Sequence, residues 1–159
     1  MAVFEKVKTG HIFIGRLAHG ADLLDELTKT CKDQDLRCGR IEAIGAVQRA
    51  RIAYYDQQKQ EYGFLTLEEA LEITALIGNV SLMDGAPMVH AHITLADEHG
   101  KAYGGHLAPG TIVFACEFML QAFDAPILER KYDSETGLPL WNIGDKSNHR
   151  GTEDTELNR

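Results

Sequence analysis

The sequence has no C-x-x-C pair, no proline-rich stretch and few rigid or bulky residues: three cysteines, four prolines and one tryptophan in 159 residues. Each absence excludes something. Cys31, Cys38 and Cys116 are odd in number and scattered, which argues against a disulfide framework or a zinc ribbon and predicts reduced, packed thiols. No run of about 18 apolar residues occurs, so no helix is expected to span a membrane. The opening Met1-Ala2-Val3-Phe4-Glu5-Lys6 lacks the basic start and apolar stretch of a secretory signal, and a cytoplasmic protein is expected. Positive charge is scarce as well. Lys and Arg number 16 against 24 Asp and Glu, a formal net charge of −8, which repels phosphate backbones and argues against direct DNA binding.

What is present is an ordinary globular composition, 44% hydrophobic and 25% charged, enough for one domain with a real core. The composition breaks near Gly144, so a single domain is expected over residues 1–143 and a polar, flexible tail over 144–159. Most of the body reads as strands. His11–Leu17 alternates and is followed by the His19-Gly20 break. From about 21 to 34 the period becomes helical, with Leu23, Leu24, Leu27 and Cys31 on one face and Asp22 and Asp25 in the first turn. Two β-like runs follow, 40–47 and 48–56, then a turn at 57–60 and a strand over 61–65. Further runs cover 72–77, 80–83, 88–95, 101–107, 111–123 and 127–132, with a turn at 84–87, while 67–71 fits either a strand end or a helical turn. One principal helix among seven or more strands in close succession predicts an α+β domain with a largely antiparallel sheet.

The chemistry concentrates in His90-Ala91-His92-Ile93-Thr94-Leu95 and Gly104-Gly105-His106-Leu107. Alternation puts His90, His92 and Thr94 on one strand face and Val89, Ala91, Ile93 and Leu95 on the core face. A three-residue loop Glu98-His99-Gly100, with the glycine left-handed after a type I turn, pairs Asp97 with Lys101. His92 then faces His106, on the side of His90, with opposed Cβ atoms roughly 5 Å apart. Three neutral imidazoles suit Zn²⁺ and leave a fourth position open. A two-residue loop would turn His106 into the core, so the register decides the matter. Gly104 and Gly105 are expected to let a ligand or another subunit approach the backbone. His99 is expected to be solvated, and His11, His19 and His149 to be structural or surface residues. Glu117 and Asp84 are the candidates for a fourth ligand or a catalytic base, although an alternating strand also presents Glu117 to solvent. Arg49 and Arg51 share a strand face, where a surface role is expected ahead of anion binding.

These segments resemble the PPC domain, the plants and prokaryotes conserved domain that accompanies AT-hook motifs in plants. The resemblance is carried by Ile44-Gly45-Ala46-Val47, Tyr54-Tyr55-Asp56, Leu76-Ile77-Gly78-Asn79-Val80-Ser81 and the two histidine segments, and covers most of residues 5–133. It implies an α+β homotrimer and a bound zinc on His90, His92 and His106, as in prokaryotic members with this histidine pattern. Plant members lack the histidines and bind DNA through AT-hooks outside the domain. Here there is no R-G-R-P core of an AT-hook, so DNA association would run through partners. A cupin reading fits less well, because Glu98 falls in the turn, no histidine follows Pro109-Gly110, and the helix is foreign to a plain jelly roll. The expected function is a zinc-binding homotrimer that recognises a small molecule or a protein. The alternative is a zinc-dependent enzyme in which the three imidazoles leave a site for reactive water, with Glu117 or Asp84 as base.

Overall fold

The computed structural model describes residues 2–143, so the tail expected over 144–159 lies outside the described residues. Nine strands and one helix follow in the order β1 (Lys8–Arg16), α1 (Leu23–Asp33), β2 (Gly39–Asp56), β3 (Glu61–Leu67), β4 (Leu71–Met83), β5 (Ala86–Ala96), β6 (Ala102–Leu107), β7 (Ile112–Asp124), β8 (Arg130–Asp133) and β9 (Leu138–Trp141). The expected α+β class holds. Seven strands form one antiparallel sheet in the order β1-β7-β2-β4-β5-β6, with β3 paired to β2, while β8 and β9 form a separate hairpin.

The helix starts where the sequence places its cap. The Asp22 carboxylate accepts from the backbone N–H groups of Leu24 and Asp25, and Asp25 and Glu26 stand in the first turn, where the helix dipole favours negative charge. Leu23, Leu27 and Cys31, spaced four apart, are fully buried against the sheet. Cys38 and Cys116 are buried and free as well. Burial pushes the Cys31 thiol up to about 12 and, with the Glu117 charge adding to it, Cys116 to about 11. All three are inert packing groups.

Two pairs of runs that read as separate are each one strand. Residues 40–47 and 48–56 join as β2, and 72–77 and 80–83 join as β4, with Gly78-Asn79 in regular pairing opposite Ala91 and His90. Gly78 is needed there because an added Cβ would lie 2.7 Å from the His90 carbonyl oxygen. The turn expected over 84–87 shrinks to Asp84-Gly85, both at positive φ, and β5 begins at Ala86. The β8–β9 hairpin carries too few residues to show alternation, so β9 was not expected.

The continuity of β2 decides the architecture. Its register slips at Gly45, against β4, and around Val47–Arg49, against β7, which marks bulges that bend the strand. Gly45 is at φ 147°, and a Cβ there would sit 2.1 Å from the Ala115 carbonyl oxygen. Before the bend β2 pairs with β4 and β7. Beyond it β2 pairs with β3 and meets β6 at Ile52–Leu107 and Ala53–His106. β2, β4, β5 and β6 thus close into a ring around a core of Ile41, Val47, Leu76, Ile93, Leu95 and Leu107.

Candidate metal centre

The β5–β6 hairpin has the predicted loop. The Asp97 N–H donates to the Lys101 carbonyl at 3.1 Å, the Gly100 N–H donates to the Asp97 carbonyl at 2.9 Å, and Gly100 is left-handed at φ 76°. The Asp97 carboxylate, held below the usual carboxylate range chiefly by the Lys101 backbone N–H, accepts from the backbones of His99 and Lys101. This turn sets the register Ala96–Ala102, Thr94–Gly104 and His92–His106.

The consequence is a convergence of three imidazoles on the outer face of the ring. Ring centroids lie 5.4 Å apart for His90–His92, 5.0 Å for His90–His106 and 5.4 Å for His92–His106. One nitrogen from each lies within 4.8 Å of the others, and the group includes no carboxylate or thiol. Val89, Ala91, Ile93 and Leu95 are buried on the opposite face, as alternation requires.

Burial, then the neighbouring His106, Arg130 and His92, lowers the His90 imidazole to about 4. Burial, then His92 and Arg130, lowers His106 as well. Both rings are therefore neutral near pH 7, the form that binds metal. Among the described residues, His106 Nδ1 is buried without a hydrogen-bond partner. An orphaned imidazole nitrogen beside two other imidazoles fits a cation, because a ligand bond would supply the missing partner.

The rim comes from elements far away in sequence. Tyr62 of β3 lies over His106 at 5.2 Å and beside Tyr55 at 4.9 Å. Arg130 of β8 donates through Nε to Ser81 Oγ at 2.9 Å, through Nη2 to Asn79 Oδ1 at 2.7 Å and through Nη1 to the Pro139 carbonyl at 2.9 Å. Its Nη2 lies 3.5 Å from His90 Nδ1. Neither Tyr62 nor Arg130 carries a local sequence signal. Only the β2–β3 pairing and the return of the chain over β4 bring them to the histidines.

The other expected residues lie elsewhere. Asp84 is exposed in the β4–β5 turn. Glu117 is exposed on β7 opposite Arg16 and Ile44, and neither carboxylate joins the histidine group. Gly104 is open on the histidine face. At Gly105, by contrast, the ring closes so tightly that a Cβ would lie 2.8 Å from the Ala53 carbonyl oxygen, so its role is packing within the chain. Arg49 and Arg51 are anchors: Arg49 Nε donates to the Gly110 carbonyl, and Arg51 donates to the Pro109 carbonyl and stacks 3.9 Å over Phe64. His19 Nδ1 donates to the Phe114 carbonyl at 2.8 Å and its Nε2 accepts from Gln48, a structural role. His11 lies beside Phe13, and His99 is exposed in its turn. His149 lies outside the described residues.

Fold and site together define an α+β sheet protein with a three-histidine cluster on its outer face. The chain belongs to the family of the Plants and Prokaryotes Conserved (PCC) domain, whose model matches residues 4–124. It is similar to the solved structure of a metal-containing protein from Archaeoglobus fulgidus, with 40% identity, a TM-score of 0.83 and coverage of 87% of this chain and 97% of that one. It is also similar to a plant- and prokaryote-conserved protein from Pyrococcus horikoshii, with 36% identity, a TM-score of 0.83 and coverage of 88% and 96%. A Synechococcus protein named Bifunctional protein GlmU is 37% identical over 125 residues, which are 77% of this chain but 18% of that protein. The chain therefore spans under a fifth of that relative. No helix among the described residues is long and apolar enough to cross a membrane.

Proposed function

We propose that this protein is a zinc-binding homotrimer, with His90, His92 and His106 as ligands, that recognises a small ligand or a protein at the open coordination position. The observation that carries the reading is the convergence of three imidazoles, one with an orphaned buried nitrogen and none opposed by a carboxylate. An all-imidazole set favours zinc over the oxygen-seeking magnesium and calcium. The metal-containing relative of Archaeoglobus fulgidus, similar over most of the chain, supports a metal here. When bound, the metal supplies a Lewis acid with a position free for exchange. Ile77 flanks the triad through its pairing with His92, and Arg130 and Tyr62 shape the approach.

Self-association is supported by the sheet beyond the triad. Ile14, Ile44, Ile77 and Met119, exposed at 80, 59, 59 and 45%, line one groove of 780 Å³. A contiguous apolar face on an outer sheet surface is what an interface between copies covers.

Metal analysis of purified protein, together with light scattering, tests the reading. About one zinc per chain, lost on His92→Ala, and a mass of three chains are expected. Substoichiometric metal that leaves stability unchanged on removal would refute the metal site, and a monomeric mass would refute the trimer.

A further inference from the structure

Arg130 is a half-buried guanidinium with no counter-ion among the described residues. Among the described residues no carboxylate lies within ion-pair distance of it, and its three bonds go to neutral oxygens of Ser81, Asn79 and Pro139. Neutral acceptors orient a buried cation but leave its charge uncompensated, which is costly. Five N–H groups are available on a guanidinium, and a fourth, on Nη2, is directed at His90 Nδ1 at 3.5 Å, so one remains. It belongs to Nη1, whose other N–H goes to the Pro139 carbonyl. The triad adds no negative charge either, since its three members are imidazoles. A divalent cation there would leave the pocket with three positive charges and no protein carboxylate in the cluster.

Resting on the metal reading above, we infer that Arg130 is an anion clamp and that the site takes a small organic carboxylate, held by the guanidinium charge and its remaining Nη1 N–H beside the metal. A carboxylate oxygen accepts that N–H in a charge-assisted bond, and its charge offsets the guanidinium. The walls favour an organic anion over a bare inorganic one. The Tyr62 ring lies 5.2 Å from His106, and the Trp141 ring stands 5.9 Å from the guanidinium. An aromatic ring beside His106 and another beside Arg130 offer contact to a carbon body. A role limited to tying the β8–β9 hairpin onto β4 would explain the bonds to Ser81, Asn79 and Pro139. It would leave the missing counter-ion without a reason.

The test uses the full chain loaded with Co²⁺, whose visible absorption reports the metal's ligands, titrated with acetate, benzoate and inorganic phosphate. Saturable changes are expected with both carboxylates, at lower concentration for benzoate because of the aromatic walls. Arg130→Gln should raise the half-saturation concentration at least about tenfold, the size expected for a lost charge-assisted pair, while the metal stoichiometry is retained. Arg130→Lys should fall between. Should Arg130→Gln fail to fold, side-chain NMR of the zinc-loaded wild type decides: the Arg130 Nε–H signal shifts on adding acetate if the clamp is real and stays fixed if it is not. A metal-loaded protein indifferent to carboxylates, or an Arg130→Gln protein that loses thermal stability but titrates like wild type, would overturn the clamp alone. Arg130-dependent binding of phosphate without binding of carboxylates would overturn the ligand class. A chain that takes up no metal would instead overturn the reading on which the clamp rests.

Discussion

Replacing Gly105 by alanine separates the two devices that aim His106. The hairpin turn fixes which residue faces His92, and the closure of β6 onto β2 fixes how far away it sits. An alanine Cβ at 105 would stand 2.8 Å from the Ala53 carbonyl oxygen and 3.3 Å from Ile52 Cβ, about 0.6 Å short of ordinary contact with the first. That oxygen is backbone within the ring and has no rotamer by which to retreat, so β6 must move. Overpacking of this kind costs about 1–3 kcal/mol. At about 2–4 °C per kcal/mol for a chain of this size, Tm should fall by roughly 2–12 °C. The displacement is comparable to the tolerance of roughly 0.5 Å within which a metal constellation works, so zinc affinity should fall by about tenfold or more. Gly104→Ala is the internal control. Its Cβ meets only the Ile93 carbonyl oxygen at 3.4 Å and Thr94 Oγ1 at 3.7 Å, both ordinary distances, so stability should change by less than about 0.5 kcal/mol. Differential scanning calorimetry and competition with a chromophoric chelator read the two effects. Equal Tm and equal zinc affinity in the two variants would refute the claim that ring closure positions His106.

Asp22→Ala removes the cap of α1 and the acceptor for the Gly110 N–H; it should cost about 1–2 kcal/mol, read as a lower urea midpoint with unchanged slope. Stability of the metal-free protein should fall as pH drops below about 6.5, because the unfolded chain then takes up protons that the lowered His90 and His106 of the folded state refuse. The contribution of His90 should be fully lost near pH 4, where its folded form also protonates. A His90→Gln protein should show a shallower decline over that window, and identical pH profiles would contradict the assignment. Ile14→Asp, on the exposed apolar face but on the strand farthest from the triad, should convert three-chain particles to single chains by light scattering while the zinc content stays at about one per chain.

Much of the fold and the whole triad were legible because they rest on local rules. The change from period two to a helical period locates α1, and the Asp22 cap is a local hydrogen bond. The turn Glu98-His99-Gly100 fixes the register, and strand alternation carries it to His106. Strand continuity was less legible. Gly78 looks like an interruption in sequence, and it is instead a position where a neighbouring backbone comes too close for a side chain. Exposed Glu117 looked like a candidate base because its apolar neighbours say nothing about which face it takes once β7 is paired.

By itself the sequence determined the α+β class, the reduced thiols and the three imidazoles on one face, since these follow from spacing within a few residues. Only the tertiary structure decided that β2 bends to close a ring, that Gly105 serves the closure, and that Tyr62 and Arg130 stand over the histidines. The physical reason is chain separation. Arg130 contacts a ring 40 residues away, and no periodicity or turn chemistry spans such a distance. Pairings of that kind are settled by which distant surfaces bury one another, and in this chain they supply the one cation beside the triad that lacks a protein counter-charge among the described residues.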